Sequence, residues 1–124
     1  MKEVEKIFTD EEKEVKIKKE LKNLRVILKQ LSKEQKTVCL PLLENIAFCI
    51  IQLEELREMI KRDGYFETYQ NGENQWGTKE TICSKQYLSI GKLYTNYLAK
   101  LKEYIPQGIV TEDKLDAFKK KHKK

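Results

Sequence analysis

The feature that most constrains this chain is an apolar seam of Leu42, Ile46, Cys49, Leu53, Leu56 and Ile60. Its steps of four, three, four, three and four residues place all six on one side of an α-helix. A stripe of that width is stable only when other helices cover it. Beyond the seam the pattern stops. Residues 69–80 read Tyr-Gln-Asn-Gly-Glu-Asn-Gln-Trp-Gly-Thr-Lys-Glu, a polar stretch rich in amides and glycine. The pairing points to a helical protein that assembles and carries one specialised loop.

Local signals place the remaining helices. Thr9 and Glu12 have the spacing of a capping box, and Asp10 and Glu11 suit the positive end of a helix dipole, so a first helix is predicted to start after Thr9. Its seam is Ile17, Leu21, Leu24, Leu28 and Leu31, widened by Val15, Val26 and Ile27. Ser32 and Gln35 repeat the capping spacing and mark a tight break between two antiparallel helices. Pro41 lacks a backbone donor and disfavours helix at Leu40. Two readings follow: a second helix that starts near Pro41 after a short turn at 33–39, or one long helix kinked there. Gly64 supplies a left-handed C-cap for its end near Asp63. Residues 65–83 then form a loop longer than the ~12–15 residues usual for a connection without structure of its own. A third helix, from near Ser84 to Pro106, has the seam Tyr87, Tyr94, Leu98, Leu101 and Ile105. Ile90, Leu93, Tyr97 and Tyr104 widen it, and Gly91 on the same face allows close helix approach. Thr111, Leu115 and Phe118 fit a short fourth helix.

With 124 residues, one domain is expected. A charged fraction of 36% and a mean hydropathy of −0.68 are polar for a compact monomer, but they fit narrow-striped helices that self-associate. The expected fold is all-α: a helical hairpin plus a third long helix after a long loop, oligomerising into a ring. In this reading 1–9 is a flexible N-terminus, 10–106 a helical oligomerisation core, and 107–124 a short helix with a basic tail. Three cysteines without a C-x-x-C pair suit a reducing compartment. No apolar run is read as approaching the roughly 18 residues of a membrane span. The first residues lack the apolar core of a secretion signal. A soluble intracellular protein with no membrane partner is expected.

Catalytic chemistry finds little support. The single histidine, His122, sits in a lysine-rich tail, with no frame to hold it within hydrogen-bond reach of a substrate. No base is placed beside a cysteine, and no short-spaced Cys/His set suggests a metal. No catalytic residue, cofactor or metal is therefore assigned. Lys119, Lys120, Lys121, Lys123 and Lys124 are either a solvated end or a grip on phosphates, which lysine neutralises without reading bases. Lys16, Lys18, Lys19, Lys22 and Arg25 form a second basic set, partly offset by Glu12, Glu14 and Glu20. The tyrosines of the third helix suit core or subunit packing, with base stacking as the other use of such rings. Trp76, alone in a polar loop, is expected to dock on its own helices or on a neighbouring subunit.

Residues 43–48 (Leu-Glu-Asn-Ile-Ala-Phe), 53–57 (Leu-Glu-Glu-Leu-Arg) and the amide-glycine stretch 69–79 resemble the terminase small subunit family of tailed phages and prophages. The run 87–101, closing at Ile105-Pro106, is similar to that family's last helix. The resemblance covers about half the chain, 42–106. It implies a non-enzymatic partner of the DNA-packaging motor in the cytoplasm of a bacterial host. Such a protein recognises the viral genome, assembles into rings and regulates the ATPase and nuclease of the large terminase subunit. The chain departs from the family after Lys79: it continues Glu80-Thr81-Ile82-Cys83 where members often have a Pro-containing helix start. No helix-turn-helix is visible near the N-terminus, so contact with double-stranded DNA is expected mainly through phosphates. The residues assigned to it are Lys119, Lys120, Lys121, Lys123, Lys124, Lys16, Lys19 and Arg25. Contacts between copies are assigned to Trp76, Tyr87, Tyr94 and Tyr97. The alternative is a helical scaffold or adaptor that binds partner helices and has no nucleic-acid role.

Overall fold

The computed structural model describes residues 5–70 and 72–105. Helix α1 spans Asp10–Leu24 and runs into a 3₁₀ segment, Arg25–Gln30. Helix α2 spans Lys33–Asp63, strands β1 and β2 span Phe66–Gln70 and Trp76–Glu80, and helix α3 spans Ile82–Tyr104. Local chemistry sets the helix starts. Thr9 Oγ1 accepts from the Glu12 N–H at 3.1 Å. Ser32 and Gln35 form the full capping box, with reciprocal bonds of 2.9 and 3.2 Å. Thr81 caps α3 by accepting from the Ser84 N–H.

Helix α2 is the centre of the molecule. Helices α1 and α3 both pack on it, each antiparallel to it. Lys13 and Lys16 near the start of α1 pair with Glu55 and Glu54 of α2. At the other end, Gln35 Nε2 near the start of α2 donates to the Tyr104 carbonyl at the end of α3. The core joins Leu24, Leu31, Cys39, Leu43, Ile46, Ala47, Ile50, Ile51 and Leu101. Ile17, Leu21, Leu28, Tyr94, Tyr97, Leu98 and Ile105 pack against it.

Several sequence expectations are corrected. The fold is mostly helical but not all-α, because the expected loop is largely a β-hairpin. Of the two readings at Pro41, the start near it is corrected: α2 begins at Lys33 and is a long helix that runs through Pro41. The capping box nucleates it upstream, and Pro41 lies exposed within the helix while Cys39 and Leu43 are fully buried on either side. The predicted α2 seam is only part of its buried surface. Ile46 and Cys49 are buried, but Leu42, Leu53, Leu56 and Ile60 are half-buried, and Leu43, Ala47, Ile50 and Ile51 lie deeper. A helix covered on two sides buries two stripes, not one. That same apolarity makes α2 long and apolar enough, by length and composition, to cross a membrane, contrary to expectation. From Val38 to Leu53 only Glu44 is charged. Val15 and Val26 are exposed rather than part of the packed face of α1.

The start of the described chain bonds to α2. The Phe8 N–H donates to Glu55 at 3.0 Å, and Arg62 donates to the Glu5 carbonyl at 2.9 Å. Gly91 does not support helix packing within the protomer, since a methyl group built there would meet nothing within 4 Å. The expected fourth helix lies outside the described residues.

Candidate functional site

Two surfaces stand out, at opposite ends of the bundle. The first arises from antiparallel packing. The end of α1, the 3₁₀ segment, the first turns of α2 and the end of α3 meet at one end of the molecule. Segments 21–43 and 96–105, which build it, hold seven basic residues (Lys22, Arg25, Lys29, Lys33, Lys36, Lys100 and Lys102) against two acidic ones, Glu34 and Glu103. All seven are exposed, and no ion pair binds any of them among the described residues. The rest of the described chain carries eleven basic and fourteen acidic residues. The protomer is therefore polarised, +5 at one end and −3 over the remainder, along an α2 axis of roughly 45 Å at 1.5 Å per residue. Like charges gathered on one end raise its potential well above that of the same charges spread over the surface.

The DNA-contact residues assigned from sequence divide into three groups. Arg25 belongs to the basic end. Lys19 is exposed nearer the middle of α1. Lys16 is held inside the protomer, with Nζ 3.3 Å from Glu54 and 4.7 Å from the centre of the Phe8 ring. Its charge is thereby partly offset within the protomer. Lys119, Lys120, Lys121, Lys123 and Lys124 lie outside the described residues. Sequence reasoning missed Lys29, Lys33, Lys36, Lys100 and Lys102. Folding the charge pattern along three antiparallel helices would have gathered them.

The second surface is the hairpin. Its register pairs Phe66 with Glu80, Thr68 with Thr78, and Gln70 with Trp76 on one face, and Glu67 with Lys79 and Tyr69 with Gly77 on the other. On the second face the side chains satisfy one another. The Tyr69 ring lies across Gly77, where a Cβ would come within 2.9 Å of it, and Lys79 sits 3.6 Å from Glu67 and 5.8 Å from the Tyr69 ring centre. The first face has no such cover: Phe66 and Trp76 are each 69% exposed. Among the described residues, the anchoring bonds lie at the base. The Thr81 N–H donates to the Tyr65 carbonyl, Thr81 Oγ1 to the Gly64 carbonyl, and Ser84 Oγ to Glu80 Oε1, each at 2.9 Å. Gly64 permits the turn from α2 with φ +84°. The hairpin, 65–80, carries one basic residue, Lys79, and three acidic ones, Glu67, Glu73 and Glu80, which suits protein contact better than phosphate contact.

The residues expected at contacts between copies are not gathered on one surface. Trp76 is on the open hairpin face. Tyr94 and Tyr97 pack against the protomer's own core, the other reading open to them. Tyr87 lines a shallow groove of about 460 Å³ on α3 with Leu88, Gly91, Lys92, Thr95 and Asn96. Burial raises the Tyr94 hydroxyl above its ordinary range, with smaller effects from Cys49 and Glu20. Cys39, Cys49 and Cys83 are all buried, and burial raises the first two thiols. Among the described residues no group of three or more His, Cys, Asp or Glu side chains could hold a metal ion. No family model, curated protein or solved structure matches the chain.

Proposed function

We propose that this protein is a non-catalytic DNA-packaging factor of the terminase small subunit type, acting in the cytoplasm of a bacterial host. Copies of it hold double-stranded DNA through phosphate contacts and regulate a large terminase subunit. The observation that carries the reading is the basic end of the bundle, where seven exposed cations meet two acids. Such an end takes up a polyanion with release of its counterions and without reading bases. The chain continues from Ile105, at this same end, into 106–124, which contains the five terminal lysines. Lys29, Lys33, Lys36 and Lys102 join Arg25 as the expected phosphate contacts.

A second reading, a helical adaptor with no nucleic-acid role, is favoured by the uncovered Phe66 and Trp76 alone. Duplex-DNA binding over a salt series separates the two. The DNA reading expects log K to fall with log salt at about −0.9 per phosphate engaged. Changing Lys29, Lys33, Lys36 and Lys102 together to Gln, all exposed positions, should remove roughly three to four units of that slope. Deleting residues 119–124 measures the tail's share separately. Absence of binding at low salt would leave the adaptor reading.

A further inference from the structure

We propose that the open face of the hairpin, Phe66 and Trp76, seats in the Gly91 groove of a second copy of this chain. The inference deepens the assembly part of the reading above and is independent of its phosphate contacts.

Three observations choose this occupant. A two-stranded ribbon is marginal in water unless something packs on it, and within the described residues nothing covers the Phe66–Trp76 face. The groove is apolar at Tyr87 and Leu88, and its floor at Gly91 is open space, so a flat ring can approach the helix backbone. The two surfaces also carry opposite charge. From Ile82 to Lys102, α3 holds Lys85, Lys92, Lys100 and Lys102 and no acid, while the hairpin is net acidic, with Glu73 in its tip. The same basic row opposes the competing arrangement, α3 packed on α3 across a twofold axis, because it would set lysines against lysines.

Hairpin and groove are different patches of one chain, so the contact is heterologous. It propagates from copy to copy and closes only if the rotation between neighbours allows it. Each protomer then gives one hairpin and receives one.

Trp76 is the single tryptophan, so its emission reports its own environment. The test measures mass by light scattering, and Trp emission, from low to high micromolar protein on the full chain. Wild type should assemble, with emission shifting to the blue as it does so. Trp76→Ala with Phe66→Ala should weaken assembly on the order of tenfold or more, as loss of an aromatic anchor does. Gly91→Leu fills the groove from a position where an added Cβ meets nothing within 4 Å, and it improves helix propensity. It should therefore give folded monomers whose Trp stays exposed. A mixture of the two variants retains one intact hairpin and one intact groove per pair, and should form dimers and nothing larger. Three results would overturn the proposal: wild type that stays monomeric throughout, Gly91→Leu that assembles as wild type does, or hairpin variants that assemble while Gly91→Leu does not. The last would mean that the groove pairs with itself.

Discussion

Replacing Glu55 with Gln tests the account of how the chain's start is held to α2. The Glu55 side chain is 5% exposed; it accepts from the Phe8 N–H at 3.0 Å and pairs with Lys13 at 2.6 Å. A glutamine fits the space but offers one acceptor oxygen and a donor NH₂. It satisfies one of the two donors and turns its own N–H groups toward the other. A buried pair broken on one side costs about 3–5 kcal/mol. Lys13 is 23% exposed and recovers water once released, which moderates the loss. What remains is one charge-assisted bond of roughly 1.5–3 kcal/mol, so the expected cost is about 2 kcal/mol. For a domain of this size that lowers Tm by roughly 10 °C. Urea unfolding followed by helical circular dichroism measures it. Lys13→Met should cost more than Glu55→Gln, because it leaves the almost fully buried Glu55 carboxylate without its counter-charge and with only the Phe8 N–H to bond it. The double variant should cost less than the two single changes added together. A loss below about 0.5 kcal/mol for Glu55→Gln, the range of an ordinary surface substitution, would refute the reasoning.

Two further outcomes follow from other sites. Gly64 has φ +84° and ψ 175°, a combination almost restricted to glycine, so Gly64→Ala should cost about 1–3 kcal/mol in the same unfolding assay and loosen the hairpin base. Tyr94 titrates above its ordinary value, first because it is buried and then through smaller charge effects of Cys49 and Glu20, so the fold favours the neutral phenol. Its contribution is fully present below the unfolded value near 10 and is lost as pH rises through the folded value. Alkaline unfolding of Tyr94→Phe should therefore be shifted to higher pH than that of wild type, and coincident curves would contradict this.

Much of the helical framework was legible because its signals are short-range. Thr9, Ser32 and Gly64 each mark a boundary through bonds within about four residues. Pro41 misled because its local penalty is visible in sequence, whereas the burial of Cys39 and Leu43 beside it is not. The hairpin was hidden because both of its faces are largely exposed. Without alternation of apolar and polar residues, the amides and glycines of 70–77 read as a loop. The run Phe-Glu-Thr-Tyr, with its aromatic and β-branched residues, was the available strand signal.

The candidate surfaces were less legible than the helices. Trp76 stands out in the sequence as a lone ring in a polar stretch, but its place on the same hairpin face as Phe66 appears only once the strands are in register. Along the sequence the charge looks nearly balanced outside the last residues. Antiparallel packing brings 22–36 beside 100–102 and sorts that balance into a basic end and an acidic remainder. The sequence by itself determined the start of α1 after Thr9 and the end of α2 at Gly64, because capping acts between residues close along the chain. Only the tertiary structure decided which faces of α2 are covered, which aromatic rings remain in water and which lysines stand together, because those depend on neighbours that are distant in sequence.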